Sequence, residues 1–245
     1  MQLVNSFAQL ALAAVVAVPP VAAIVGGSNA APGQFPFVVS VQKAAHICGG
    51  TLINSRQILT GASCVNGSST TDIKVRAGSI EQGSGGMMVQ VQKIRVHPGY
   101  EQRTAANNVA ILDLATPLSN IKPASLPLAS ATPRLGSAVT VVGWGTIRPG
   151  TSMIAADLRY TTVSVIDSGI CQQHYSGHPE SGSDEFCVGV ENNGKSSCSR
   201  DTGGPVLQGE TVVGVISLWN GCGMAADVDM AVGPYLAWIN ENAIH

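Results

Sequence analysis

The stretch Cys198-Ser199-Arg200-Asp201-Thr202-Gly203-Gly204-Pro205 (CSRDTGGP) is the most informative segment of this 245-residue chain. It completes a series of five short motifs that follow one another in a fixed order. The earlier four are Ile24–Gly27 (IVGG), His46–Leu52 (HICGGTL), Val96–Tyr100 (VHPGY) and Gly143–Thr146 (GWGT). Each motif alone is weak evidence. Together, over residues 24–245, they point to a single protein family.

The overall composition favours a secreted β protein. Hydrophobic residues make up 45% of the chain, which is ample for a sizeable core, and 28 Gly with 13 Pro indicate many turns. Charged residues make up only 11%, and the formal net charge is −2. Because nucleic-acid and membrane-surface binding both require a basic face, this balance argues against nucleic acid or a membrane as a partner.

Residues 1–23 have the features of a signal peptide. Phe7–Val18 is an apolar run, Pro19-Pro20 interrupts it, and the small residues Val21-Ala22-Ala23 suit cleavage before Ile24. A membrane anchor is the weaker interpretation, because the run is short for a bilayer span. The sequence therefore predicts a secreted, extracellular chain of residues 24–245, which we expect to be monomeric.

Short β-rich runs recur between turn residues, and this spacing predicts an all-β sandwich or barrel. The runs are Phe37–Gln42, Thr51–Leu59, Ile73–Ala77, Met88–Val96, Val109–Leu114, Ala138–Gly143, Leu158–Val165 and Val212–Ser217. Pro234–Ala243 has the pattern of a short amphipathic helix. Thr116–Pro133, rich in Pro, Ser and Ala, is a candidate link between two halves, roughly 24–125 and 126–245.

The five motifs together resemble the trypsin-like serine proteases of the chymotrypsin fold. Arg76–Ser79 (RAGS) and Ser84–Gly86 (SGG) are most similar to trypsins of filamentous fungi. The resemblance implies two six-stranded antiparallel β-barrels with a short C-terminal helix. It also implies an active site in the crevice between the barrels.

Six cysteines in an apparently exported chain favour disulfides, although counting alone leaves 15 connectivities open. The resemblance implies three pairs, which are Cys48–Cys64, Cys171–Cys187 and Cys198–Cys222. A zinc site would need CxxC-type spacing, which is absent, and the sequence indicates no metal or other cofactor. Asn66-Gly67-Ser68 is a sequon, so we expect N-glycosylation of Asn66.

The resemblance places the three residues of the catalytic triad at Ser63, Asn108 and Thr202. The mechanism needs an imidazole base, a carboxylate that orients it and a nucleophilic hydroxyl. The hydroxyl of Ser63 cannot accept a proton near neutral pH. Asn108, or Asn107 if the alignment is shifted by one residue, offers an amide in place of the carboxylate. Thr202 has a hydroxyl, but its sequence neighbours supply no base, so we expect all three positions to be non-functional.

The positions of the oxyanion hole and the substrate pocket are also altered. Arg200 stands where family members have a glycine that donates its backbone N–H to the oxyanion. The residue at the base of the pocket is Ser196 instead of the aspartate that selects Arg or Lys. The resemblance assigns the pocket walls to Ser217, Trp219 and Asp227, with Trp219 expected to fill the entrance.

Other parts of the family pattern are intact. Ile24 and Asp201 match the residues whose ammonium and carboxylate form a buried ion pair in active members. The five histidines offer no obvious replacement base. His97 belongs to the VHPGY motif and His46 matches a structural histidine, while His174 and His178 follow Cys171 and His245 is the last residue.

These substitutions lead to the prediction that the chain is not an enzyme. The expected function is that of a secreted non-catalytic homologue that acts as an inhibitor, decoy or effector by binding an extracellular protein. Oomycete glucanase inhibitor proteins are similar at the second and third triad positions. The alternative is an active secreted endopeptidase that uses an unorthodox base or a histidine of its substrate.

Overall fold

The computed structural model describes residues 24, 26–147, 150–175, 184–189 and 195–244. The predicted signal peptide, residues 1–23, lies outside these residues, as do His178 and His245. None of the helices in the described ranges is long and apolar enough to cross a bilayer.

The described residues form thirteen β-strands and three short α-helices. The strands of the first half are β1 (Ser28–Asn29), β2 (Val38–Gln42), β3 (His46–Asn54), β4 (Gln57–Thr60), β5 (Lys74–Ala77), β6 (Met87–Val96) and β7 (Ala110–Leu114). The later strands are β8 (Ala138–Gly143), β9 (Arg159–Ile166), β10 (Glu185–Val188), β11 (Pro205–Gln208), β12 (Thr211–Leu218) and β13 (Asp227–Ala231). The helices are α1 (Ala62–Val65), α2 (Ser168–Gln172) and α3 (Leu236–Glu241).

The strands form two antiparallel barrels. Strands β2 to β7 close in the order β2-β3-β4-β7-β6-β5. The second sheet runs β9-β10-β13-β12-β11-β8 and closes because β8 also pairs with β9, while β1 adds to β9 at the outside. The prediction of two six-stranded barrels with a short C-terminal helix is confirmed.

Closure explains the sequence pattern, because a closed barrel buries every inward-facing side chain and leaves no edge strand. Leu52, Ile58 and Leu112 are fully buried in the first barrel, and Val141, Val206 and Ile216 are fully buried in the second. Gly50 faces the first interior, where an added Cβ would lie 2.7 Å from Ile58 Cγ2.

Two features of the strands differ from the sequence-based expectation. The run Thr51–Leu59 is a hairpin, because β3 ends at Asn54 and β4 begins at Gln57. Strands β1, β10 and β11 were not predicted, and neither was β13. Its five buried residues include Asp227 and Asp229, and two carboxyls in five residues conceal the apolar character expected of a buried strand.

The three predicted disulfides are present, and no described cysteine is free. Cys198–Cys222 joins the CSRDTGGP segment to the loop that follows β12, with its Cα atoms 4.8 Å apart. Disulfides persist in oxidising compartments, so the pattern is consistent with a secreted protein.

We expect Gly203→Ala to destabilise the protein strongly. Gly203 has φ +82, and an added Cβ would lie 2.7 Å from Gly49 O and 2.8 Å from Gly61 N, which are rigid backbone atoms. Gly209→Ala is the matched control, since Gly209 has φ +61 with no atom within 4 Å of the added Cβ. The control should cost about 1 kcal/mol from left-handed strain alone. Gly203→Ala should cost about 2 kcal/mol more through overpacking, measured by urea unfolding. Equal losses of unfolding free energy in the two variants would contradict the close backbone contact at Gly203.

Candidate active site

Asn108 lies at the centre of the crevice between the barrels and is only 1% exposed. Its Oδ1 accepts a hydrogen bond from the backbone N–H of Ser63 at 2.8 Å, and its Nδ2 bonds to Ser217 Oγ at 2.9 Å. A backbone N–H can only donate, so the orientation of the amide is fixed, with Oδ1 towards Ser63. The neighbouring Asn107 instead donates from Nδ2 to Gly99 O, so Asn108 is the residue of this pair at the site.

Thr202 reaches the same place from the second barrel. Its carbonyl oxygen accepts from Gly49 N at 3.0 Å, and its Oγ1 makes a long 3.5 Å bond to Ser217 O. Its methyl group and Asn108 Oδ1 both lie next to Gly61, at 3.2 and 3.5 Å from the position of an added Cβ. The exposed Ser63 follows two residues after Gly61. The three predicted triad positions are therefore brought together around Gly61 and Ser217.

His46 is connected to the Thr202 segment through Arg200, but it cannot act as a base. Its Nε2 donates to Arg200 O at 3.1 Å, so its Nδ1 accepts from Ser40 Oγ at 2.8 Å. Burial lowers the pKa of His46 to about 4, and the ring is neutral at physiological pH. His97 packs its ring edgewise against Tyr235 and Trp238.

Arg200 adopts the left-handed backbone conformation, with φ +72, despite its side chain. Two contacts with His46 hold it, since the ring donates to Arg200 O and Arg200 Nη1 approaches His46 O at 3.4 Å. Among the described residues, no acceptor pairs with the backbone N–H of Arg200 or of Thr202. Two backbone N–H groups at and just before Thr202 therefore have no partner in the described part of the chain, as an oxyanion hole would require.

Asp201 is fully buried beside the GWGT motif. Its carboxylate accepts from Gly145 N at 2.7 Å and from Cys198 N at 3.0 Å. A Cβ on Gly143 or Gly145 would overlap this carboxylate, so both positions of the GWGT motif require glycine. Burial raises the pKa of Asp201 to about 7 in spite of the two N–H bonds. Ile24 is buried in the core of the second barrel, and its ion pair with Asp201 stays a prediction, since it requires a free amine at residue 24.

Two more carboxyls are buried on β13, next to the residues expected to line the pocket. Asp227 Oδ2 accepts from both Ser197 N and Ser197 Oγ at 2.9 Å, and Asp229 Oδ1 accepts from Ser217 N at 3.3 Å. The second oxygen of each has no hydrogen-bond partner among the described residues. Burial raises the pKa of Asp229 to about 8 and that of Asp227 well above its usual range, where the nearby Asp229 adds to the effect.

The remaining predicted positions lie around these carboxyls or at the surface. Ser196 is buried and donates its hydroxyl to Ser197 O at 2.7 Å. The side chain of Trp219 is about one-third exposed. Asn66 is exposed immediately after α1, and its glycosylation stays a prediction. Within the described ranges, no group of three or more His, Cys, Asp or Glu side chains could hold a metal ion.

The sequence did not single out Asp229 as a site residue. The available signal was its spacing from Asp227. Residues i and i+2 of a strand lie on the same face, so Asp229 shares a face with the predicted pocket residue Asp227. Through Ser217, which also contacts Asn108 and Thr202, Asp229 is connected to the triad positions.

We expect Asp229→Asn to stabilise the protein increasingly as pH rises. The folded pKa of about 8 lies above the usual value of 3.8, so the unfolded chain loses this proton first and stability falls with pH between these values. The loss approaches about 1.4 kcal/mol per pH unit. Asparagine retains the oxygen that accepts from Ser217 N but cannot ionise. The free energy of unfolding of the variant should therefore rise relative to that of the natural protein between pH 5 and pH 8.

Urea unfolding at both pH values measures this gain. Asp72→Asn, which changes an exposed carboxyl, is the control and should show little difference between the two. Equal behaviour of the two variants would contradict a buried, protonated Asp229.

Comparison with known proteins places these features in a family. Residues 24–239 match the trypsin family. The mite trypsin Blo t 3 of Blomia tropicalis is 35% identical over 229 residues, covering 90% of this chain and 86% of its own length. Trypsin delta of Drosophila erecta is 36% identical over 228 residues, covering 90% and 88%. Trypsin alpha-4 of Lucilia cuprina is 38% identical over 206 residues, covering 82% and 79%.

These relatives contradict the prediction that the chain is not an enzyme, because proteins named trypsins match it over nine-tenths of its length. That prediction followed from the side chains at the triad, oxyanion-hole and pocket positions, and an endopeptidase with an unorthodox base or a substrate histidine was its alternative. The broader part of the prediction, that the chain has a protease-like fold with the family's disulfides and motifs, is confirmed. The chain belongs to the trypsin family of serine proteases.

Proposed function

We propose that this protein is a secreted endopeptidase in which Thr202 is the nucleophile and a histidine of the bound substrate is the base. The partner is then an extracellular polypeptide that enters the cleft as substrate. The orientation of Asn108 carries the proposal, because its Oδ1 faces the Ser63 N–H, where the family pattern calls for an imidazole. The trypsin names of the relatives favour hydrolysis over other uses of the cleft.

An amide in this orientation can still select the useful imidazole tautomer. Asn108 Oδ1 has a second lone pair, which can accept from Nδ1–H of an incoming imidazole. The opposite ring nitrogen, Nε2, is then unprotonated and able to accept the Thr202 proton. The Ser63 side chain is small and exposed, so a ring that binds at this position has only that side chain to displace before it reaches the buried Asn108 Oδ1.

The reaction follows the usual two steps of acyl transfer. Thr202 Oγ1 attacks the peptide carbonyl carbon and passes its proton to Nε2 of the substrate imidazole, while the N–H groups of Arg200 and Thr202 bind the oxyanion. The imidazolium protonates the leaving amine, the C–N bond breaks and an ester forms on Thr202. A water molecule, deprotonated by the same imidazole, hydrolyses the ester, and Thr202 regains its proton. The histidine must lie N-terminal to the cleaved bond, since only that part stays bound for both steps.

We expect the protein to cleave peptides that carry a histidine shortly before the cleaved bond, and to leave the matching glutamine peptides intact. The rate should rise with pH through the ordinary imidazole pKa of about 6.5, because only the neutral ring accepts a proton. Mass spectrometry of paired peptide libraries measures both effects. Thr202→Val, which removes the hydroxyl but keeps the shape, should abolish cleavage.

Ser63→His supplies the complementary test, because it places an imidazole on the chain itself. This variant should cleave histidine and glutamine peptides alike. Equal cleavage of the two peptides by the natural protein, or activity that survives in Thr202→Val, would refute the proposal. Cleavage of neither peptide by the natural protein would refute it as well, provided that its unfolding transition confirms the fold.

The orphaned oxygen of Asp227 adds a preference for a positively charged side chain next to the cleaved bond. A buried carboxyl oxygen without a partner is costly, and a cation is the ligand that best satisfies it. Asp227 would then supply the carboxylate that Ser196 lacks. Among histidine-containing peptides, Asp227→Asn should lower kcat/KM for Lys at this position by about tenfold or more, as for a lost charged hydrogen bond, and leave Leu little changed. Equal losses for Lys and Leu would contradict this role.

A further inference from the structure

A shallow basic depression lies on the outer surface of the first barrel. Its volume is about 370 Å³, and its lining residues are Arg56, Gln92, Lys93, Arg95, Asp113 and Ile244. Strand pairing assembles it, because Asp113 on β7 is opposite Gln57 on β4 and opposite Lys93 on β6. Asp113 is five residues beyond Asn108 along the chain, which corresponds to about 17 Å of strand, so the depression is separate from the crevice.

Asp113, the one carboxylate among the described residues that line the depression, is already engaged. Asp113 Oδ1 accepts from Gln57 Nε2 at 2.8 Å. Its Oδ2 accepts from Arg95 Nε at 3.1 Å and from Arg95 Nη2 at 2.7 Å, and Arg95 thereby balances its charge. The two-point contact also fixes the guanidinium in place.

The other two cations are not balanced. Neither Arg56 nor Lys93 has a carboxylate within 4.0 Å in the described part of the chain, so the depression carries an excess of about two positive charges. Lys93 and Gln92 are exposed, and Arg56 is partly exposed. Three of the chain's 13 Lys and Arg residues thus converge in a protein whose formal net charge is −2.

We propose that this depression binds a sulfated sugar unit of an acidic extracellular polysaccharide. Forked guanidinium and ammonium donors around one hollow suit a tetrahedral oxyanion, and the Gln92 amide adds a neutral donor. A compact site with few charges fits one sulfated sugar better than a nucleic acid, which requires a long basic stripe. The three disulfides indicate an oxidising compartment, where sulfated polysaccharides are available.

Chromatography on immobilised heparin tests the proposal with the disulfide-intact protein. The natural protein should bind at 50 mM salt and elute at a defined higher concentration. The double variant Arg56→Gln/Lys93→Gln should bind about tenfold more weakly, as expected for two lost ion pairs. Lys43→Gln/Lys74→Gln is the matched control, because it removes the same charge from exposed lysines that lie outside the depression and have no carboxylate within 4.0 Å in the described part of the chain, and it should elute with the natural protein.

Competition in solution identifies the source of the anion. A sulfated heparin oligosaccharide should displace the protein at a far lower sulfate concentration than inorganic sulfate or phosphate. Displacement by the inorganic ions at equal concentration would overturn the assignment to a sugar. Failure of the natural protein to bind at 50 mM salt would overturn the site, and so would an equal loss in the control variant. Unchanged unfolding midpoints confirm that both double variants fold.

Discussion

The close backbone contact between the two barrels is the constraint on which the rest of the site depends. Gly49 of β3 donates its N–H to Thr202 O at 3.0 Å, and a Cβ on Gly49 would lie only 2.6 Å from Gly204 Cα. Two glycine pairs, one in HICGGTL and one in CSRDTGGP, make this approach sterically feasible. Because the contact is formed by backbone atoms, the position of residue 202 against Gly61 and Asn108 does not depend on which side chain it carries.

The second barrel adds an electrostatic constraint to this steric one. Asp201, Asp227 and Asp229 are all buried, and burial raises the pKa of each. Removing a carboxylate from water is costly, so each needs N–H donors, a proton or a cation. Asp201 has two N–H donors and would gain an ammonium partner if Ile24 became the N-terminus, whereas Asp227 and Asp229 each have one oxygen without a partner among the described residues. A positive charge that arrived on the side of the barrel nearest Ser217 would stabilise the ionised form of these carboxyls.

The sequence was sufficient for the fold because its motifs encode the backbone contacts that the structure requires. The glycines of GWGT make room for Asp201, and Cys198–Cys222 closes the loop beside the crevice. Strand β13 escaped prediction because its carboxyls are held by Ser197 and Ser217, partners that are distant in sequence. The sequence also could not decide between Asn107 and Asn108, because only their hydrogen bonds to residues distant in sequence distinguish the two amides.

Function was harder to predict because side-chain identity reveals only what the chain itself supplies. Ser63, Asn108 and Thr202 lack a base, yet the structure keeps the amide acceptor, the hydroxyl and two N–H groups that have no partner among the described residues. A neutral amide stabilises an imidazolium less than a carboxylate does, so hydrolysis here should be slow compared with that of a complete triad. If the base arrives with the substrate, peptides without a suitably placed histidine can bind but cannot react. The same histidine of the substrate then determines both whether a peptide is cleaved and which peptide is selected. A base fixed in the enzyme cannot provide this form of selectivity.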